Sequence, residues 1–89
     1  MNLSPNWSLH IDPSVFKTLK KIPKRDTAAI VEVTRLLPSD PYFGDIQKLK
    51  DVEDVWRRRV GAYRIFYALK QESNIILVSR IERRTSKTY

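Results

Sequence analysis

Residues 56–67 read WRRRVGAYRIFY, with apolar and aromatic side chains alternating with arginines on both sides of a Gly-Ala pair. Alternation on either side of two turn residues is the pattern of a β-hairpin, and glycine supplies the positive φ that a type II′ turn requires at its first central position. A two-residue loop at Gly61-Ala62 fixes the pairing. Val60 then faces Tyr63, Arg59 faces Arg64, Arg58 faces Ile65, Arg57 faces Phe66 and Trp56 faces Tyr67. Like charges placed directly across two strands repel, so the Arg59/Arg64 pair calls for an anion between them.

Working outward from the hairpin, Trp7-Ser8-Leu9-His10-Ile11 alternates as a half-buried strand does. Asp12-Pro13 is an N-cap followed by proline at the first helical position. Val15, Phe16, Leu19 and Ile22 then recur at helical spacing until Pro23 ends the helix. A second helix is expected from Lys24 to Leu37, with Ala29, Ile30, Val33, Leu36 and Leu37 as its apolar stripe, stopped by Pro38-Ser39-Asp40-Pro41. A loop with a short strand around residues 47–50 leads to the hairpin. After the polar turn at residues 70–74 comes Ile75-Ile76-Leu77-Val78-Ser79-Arg80-Ile81, a β-branched run that suits an inner strand. The order β-α-α-β-β-β makes residues 1–89 a single α+β domain, two helices on one face of a small, mainly antiparallel sheet.

Extending the pairing with Leu69 opposite Ile75 puts Tyr63, Ile65, Tyr67, Leu77, Ser79 and Ile81 with Trp56 and Val60 under the helices. Arg59, Arg64 and Arg80 then form one row on the open face, beside Phe66, Ala68, Ile76 and Val78. A slip of one residue reverses the sides. Arg58 falls on the helix side, where it is expected near an edge with its head reaching solvent.

The charge distribution agrees with an anion-binding face. The net charge is +7, yet residues 1–55 balance eight Lys/Arg against eight Asp/Glu, and residues 56–89 hold nine against two. Such a lopsided basic half is the footprint of a polyanionic partner, nucleic acid or an acidic protein. Cysteine is absent, which suits a reducing cytoplasm. Neither a signal-peptide pattern nor a long apolar run is present, so a cytoplasmic protein with no membrane partner is expected.

Familiar catalytic and metal-binding patterns are missing: one histidine, no cysteine, no HExxH and no Gly-rich phosphate loop. His10 lies on the polar side of its strand, and Asp51, Glu53 and Asp54 read as a solvated loop cluster. Neither a metal nor a small-molecule cofactor is expected. What remains is arginine, lysine and tyrosine, groups that grip phosphate and, for tyrosine, move a proton. Arginine suits phosphate because its planar fork makes two parallel hydrogen bonds and keeps its charge. The same set serves metal-free RNA cleavage or a plain binding patch.

The order of elements, the segment RVGAYRIFY with its GxYRxxY pattern, the strand IILVSRIERR and a tyrosine at position 89 resemble the RelE/ParE superfamily, toxins of type II toxin–antitoxin pairs. The likeness covers nearly the whole chain. RelE-like members are ribosome-dependent mRNA endonucleases, and ParE-like members inhibit DNA gyrase without nuclease activity. The resemblance favours a RelE-like metal-independent endoribonuclease, because ParE-like members generally lack the arginine and tyrosine pair; a ParE-like gyrase inhibitor without nuclease activity is the alternative. Its partners would be a cognate antitoxin, the ribosome and mRNA.

The same resemblance gives Arg64, Arg83 and Tyr89 as catalytic residues. Lys48, Lys50, Arg57, Arg59, Arg80, Arg84 and Lys87 are expected to hold the RNA backbone. Arg57 stands where several relatives have lysine, and arginine scarcely deprotonates, so its expected role is charge stabilisation. Proton transfer then falls to Tyr89 or to Lys48 and Lys50.

Overall fold

The computed structural model describes residues 7–84. In chain order they form β1 (Ser8–Ile11), α1 (Pro13–Lys20), α2 (Lys24–Leu36), β2 (Ile46–Lys48), β3 (Val55–Val60), β4 (Tyr63–Lys70) and β5 (Ile75–Arg83). The sheet runs β1-β5-β4-β3-β2, antiparallel throughout except where β1 lies parallel to β5. The short strand expected near residues 47–50 is β2, one residue earlier in the chain.

The helix signals act as read. The Asp12 side chain accepts a hydrogen bond from the Ser14 N–H at 2.9 Å, and that bond holds its carboxyl below the usual carboxylate range. Pro23 separates the helices and has no capping side chain. Instead Thr27 in the first turn of α2 donates its hydroxyl to the Leu19 and Ile22 carbonyls, satisfying acceptors freed at the end of α1. The buried stripe of α2 is narrower than the sequence suggests. Ile30, Thr34 and Leu37 are buried, while Ala29 and Leu36 are exposed. Thr34 tolerates burial because its hydroxyl donates to the Ile30 carbonyl at 2.8 Å.

The β3–β4 hairpin has the expected register, from Trp56 opposite Tyr67 to Val60 opposite Tyr63. Gly61 has φ +57°, whereas Ala62 stays out of the left-handed region, as a type II′ turn requires.

The β4–β5 register departs from expectation. Leu69 pairs with Ile76 and Tyr67 with Val78, one residue out of step with the sequence reading. Lys70 leaves the turn to pair with Ile75, and the four residues that remain close it with Asn74 at φ +56°, a conformation asparagine accepts readily. This register buries Ile76 and Val78 completely under the helices in place of Leu77 and Ser79. Full burial of an aliphatic side chain contributes about 1.5–3 kcal/mol, and serine would contribute none of it.

A β-bulge at Ser79 then shifts the pairing once more, so that Phe66 faces Arg80, Ile65 faces Ile81 and Arg64 faces Glu82. The Ser79 hydroxyl donates to the Phe66 carbonyl at 3.3 Å, a backbone acceptor at the point where the ladder is interrupted. The bulge restores side-chain parity, returning Ile81 to the core and Arg80 to the open face. The expected single row of three arginines is therefore two rows. Arg59, Arg64 and Glu82 form one, and Arg57, Phe66 and Arg80 the other.

The core consists of Val15, Ile30, Leu37, Tyr63, Ile65, Tyr67, Leu69, Ile76, Val78 and Ile81. Arg58 corrects another expectation, because its head turns inward instead of reaching solvent. Its guanidinium lies 4.3 Å from the centre of the Phe43 ring and donates to the Phe43 carbonyl at 3.1 Å. Its Nε is buried without a partner among the described residues. Gly44 closes over it with φ +84°, and a Cβ there would sit 2.4 Å from Arg58 Cζ. Tyr67 reaches the same loop from β4, donating its hydroxyl to the Pro41 carbonyl at 2.6 Å. Residues 41–44 are thus clamped to the sheet, which fixes where Asp45 and β2 begin.

Candidate functional site

On the face opposite the helices, a small cavity of about 100 Å³ is lined by Asp45, Ile46, Gln47, Arg57, Arg59, Arg64 and Arg84. Four guanidinium groups therefore converge on one space, from two strands and the end of a third. Alternation along β3 sends Arg57 and Arg59 to this side, with Arg58 to the core between them. The hairpin register brings Arg64 beside Arg59. Arg84 arrives because the residue after β5 is tied to the turn: its N–H donates to the Ala62 carbonyl at 2.6 Å and its Nη1 to the Gly61 carbonyl at 3.3 Å.

Two neutralising groups come from the segment that Arg58 and Tyr67 hold in place. Asp45 lies 3.9 Å from the Arg59 guanidinium and accepts the Arg59 N–H at its backbone carbonyl. Gln47 accepts a hydrogen bond from Arg57. Arg64 makes no hydrogen bond or ion pair among the described residues, so its five donors are available. One carboxylate among four guanidiniums leaves the cavity strongly positive. A tetrahedral oxyanion with several acceptor atoms is the ligand that such a set of planar forks accommodates.

Of the residues singled out in the sequence, Arg57, Arg59, Arg64 and Arg84 meet in this cavity. Arg80 lies on the same face one row away. Arg83 does not join them. It pairs with Tyr63 on the helix side of the sheet, 5.9 Å from that ring, because successive side chains on a strand point to opposite faces. Lys48 pairs with Trp56 and so also belongs to the helix side. Lys50 is exposed beyond the end of β2 and does not line the cavity. Lys87 and Tyr89 lie outside the described residues. Asp45 and Gln47 are absent from the sequence reading, which takes the charged Lys48 and Lys50 instead. The usable signal was parity, since a β2 residue facing Arg57 has to share its side.

His10 is exposed on β1, and the described residues hold no group of three or more His, Cys, Asp or Glu side chains placed to bind a metal. No helix among them is long and apolar enough to cross a membrane.

Comparison with known proteins agrees with this fold. Residues 9–87 match the family model of the ParE toxin of the type II toxin–antitoxin system parDE. The RelE1 protein of Methanocaldococcus jannaschii is 30% identical over 81 residues, covering 88% of this chain and 90% of that protein. Among solved structures, a chain of the archaeal RelE–RelB complex from Pyrococcus horikoshii superimposes with a TM-score of 0.80 at 24% identity, over 92% of this chain and 99% of the other. A chain of the Mycobacterium tuberculosis RelBE2 toxin–antitoxin complex gives 0.75 at 24% identity, over 88% and 98%. The isolated Escherichia coli RelE toxin gives 0.72 at 17% identity, over 91% and 87%. The family-model match over residues 9–87 and the 30% identity to RelE1 along most of both chains make this chain a member of the RelE/ParE superfamily of type II toxin–antitoxin toxins.

Proposed function

We propose that the protein is a RelE-like mRNA endonuclease that acts on ribosome-bound message and is silenced by a cognate antitoxin. The observation that carries this reading is the convergence of Arg57, Arg59, Arg64 and Arg84 on one open cavity, with Arg64 unengaged among the described residues. An RNA phosphodiester placed there presents its nonbridging oxygens to Arg64 and Arg84. The ribose 2′-oxygen attacks its own phosphorus, the 2′-O–P bond forms, and the bond to the 5′-oxygen breaks. Charge developing on the phosphoryl oxygens meets fixed guanidinium donors, which lowers the barrier without reorganisation. The 2′-hydroxyl proton is lost and the departing 5′-oxygen takes one up, with Tyr89 as the candidate carrier. Arg84 fills the place beside Arg64 that the family resemblance gives to Arg83. Arg57 and Arg59 hold the backbone, and Arg80, Lys87, Lys48 and Lys50 serve the flanking RNA if it wraps the sheet edge.

The test is to induce the protein and map new mRNA 5′ ends on ribosomes. Codon-positioned ends carrying a 5′-hydroxyl, with a 2′,3′-cyclic phosphate on the upstream product, are expected for the native chain and absent for Arg64→Ala. The family model bears the ParE name, so the same induction is scored for stalled gyrase. Gyrase arrest without mRNA ends would replace cleavage by inhibition.

A further inference from the structure

Beside the cavity, the second row of the open face holds an arrangement that phosphate binding does not use. Phe66 projects from β4 onto this face but is only 4% exposed, because the Arg80 guanidinium covers it, 4.0 Å from the ring centre. Glu82 fixes that guanidinium from the side, accepting from Arg80 Nε at 2.8 Å. The Arg80 side chain is nonetheless 53% exposed. A planar cation is therefore backed by an aromatic ring, held at its edge by a carboxylate, and open to solvent.

Its position matters as much as its construction. Phe66 lies opposite Arg57, a cavity residue, and Arg80 opposite Phe66. The row is two residues along the strand from the Arg59–Arg64 row, about 7 Å away at the rise of a β-strand. That is the scale of one nucleotide step.

We propose that Arg80 is a stacking platform for an unpaired nucleobase of the RNA whose phosphate occupies the arginine cavity. This rests on RNA being the ligand of that cavity. Guanidinium planes stack on bases as aromatic rings do, and a plane held in advance by Phe66 and Glu82 loses little freedom when the base arrives. The base-facing site is then Phe66, Arg80 and Glu82, and its ligand is the π-face of a base one step from the bound phosphate.

The experiment uses the full-length toxin freed of antitoxin and 5′-labelled single-stranded RNA tetramers, intact or with the base removed at each position in turn, with binding followed by fluorescence anisotropy. For the native protein, removal of one particular base weakens binding about fivefold or more, the loss of one stacked base. Arg80→Lys keeps the charge but has no plane. It binds the intact tetramer about fivefold more weakly and is indifferent to removal of that base. Equal weakening of intact and base-free tetramers by Arg80→Lys marks Arg80 as an ordinary charge contact and overturns the platform, as does a native protein that never distinguishes them. The cleavage reading fails separately. Base dependence through Arg80 without new mRNA ends keeps the platform and discards the nuclease, and mRNA ends without that dependence do the reverse.

Discussion

Arg64 stands directly opposite Glu82 across the β4–β5 ladder, and directly opposite Arg59 across the β3–β4 ladder. With Asp45 against Arg59, the row across the sheet runs carboxylate, guanidinium, guanidinium, carboxylate. The repulsion expected of an isolated arginine pair is thereby offset from both flanks. Glu82, however, gives its hydrogen bond to Arg80, and Arg64 remains available.

Arg64→Ala is expected to abolish mRNA cleavage and leave the fold intact. Its stability should stay within about 0.5 kcal/mol of native, as for surface substitutions away from packed groups. Thermal unfolding and single-turnover cleavage on programmed ribosomes measure the two halves. An unfolded variant would make Arg64 structural.

The two arginines at the end of β5 should separate cleanly. Arg84→Ala should slow single-turnover cleavage by tenfold or more, of the order seen when one transition-state donor is lost. Arg83→Ala should slow it far less, because Arg83 sits across the sheet beside Tyr63. A reversed ranking would remove Arg84 from the proposed site.

Gly44 and Arg58 should be coupled. Gly44→Ala forces a side chain into φ +84° and against the Arg58 guanidinium, a strained backbone costing about 1–3 kcal/mol before the clash is added. In an Arg58→Ala background only the backbone part should remain. A double-mutant cycle by urea denaturation reads the difference, and additive effects would show that the guanidinium moves aside freely.

Burial pushes the Tyr67 phenol up to about 12, with the Arg58 guanidinium pulling against burial and Tyr42 and Asp40 adding to it. The neutral phenol is the form that donates to Pro41. Its folded value is raised, so its contribution is fully present below the unfolded pKa near 10 and is lost as pH rises toward 12. Tyr67→Phe should unfold more readily at neutral pH, by about 1–2 kcal/mol for an orphaned buried acceptor, and should show a shallower loss of stability between pH 10 and 12. Parallel denaturation curves across that range test it.

Truncation before Tyr89 should slow the chemical step much more than it weakens ribosome binding, as expected for a proton carrier. Undiminished single-turnover cleavage would shift proton transfer to another group.

The first hairpin was legible because its turn has only two residues and leaves one register. The second was not, because a longer turn can absorb a residue and a bulge can add another. Neither the left-handed Asn74 nor the unpaired Ser79 has a distinctive side-chain pattern. Alternation alone puts Arg59 and Arg64 side by side on the open face, whereas Arg57 enters the reading only through the family resemblance. Arg83 was drawn from family resemblance, and the backbone tie between Arg84 and the Gly61-Ala62 turn, which decides which arginine enters the cavity, leaves no trace in residue types. Arg58 looked like an arginine in need of water because nothing in its spacing announces Phe43 and Gly44, fifteen and fourteen residues earlier.

The bulge at Ser79 works on β5 as a frameshift works on codons. Upstream of it the even-numbered residues Ile76 and Val78 are core, and downstream the odd-numbered Ile81 is. Deleting Ser79 alone would join Val78 directly to Arg80 and leave a plain alternating strand, with Arg80 and Glu82 still on the open face and Ile81 still in the core. Length changes in the residue 71–74 turn would shift the whole strand's register instead. Loss of the bulge residue is therefore a length change that keeps inside and outside in place on both flanks, whereas a residue gained elsewhere in the strand would invert one of them. Relatives that lack the extra residue would show one unbroken alternation along this strand and keep the same sheet.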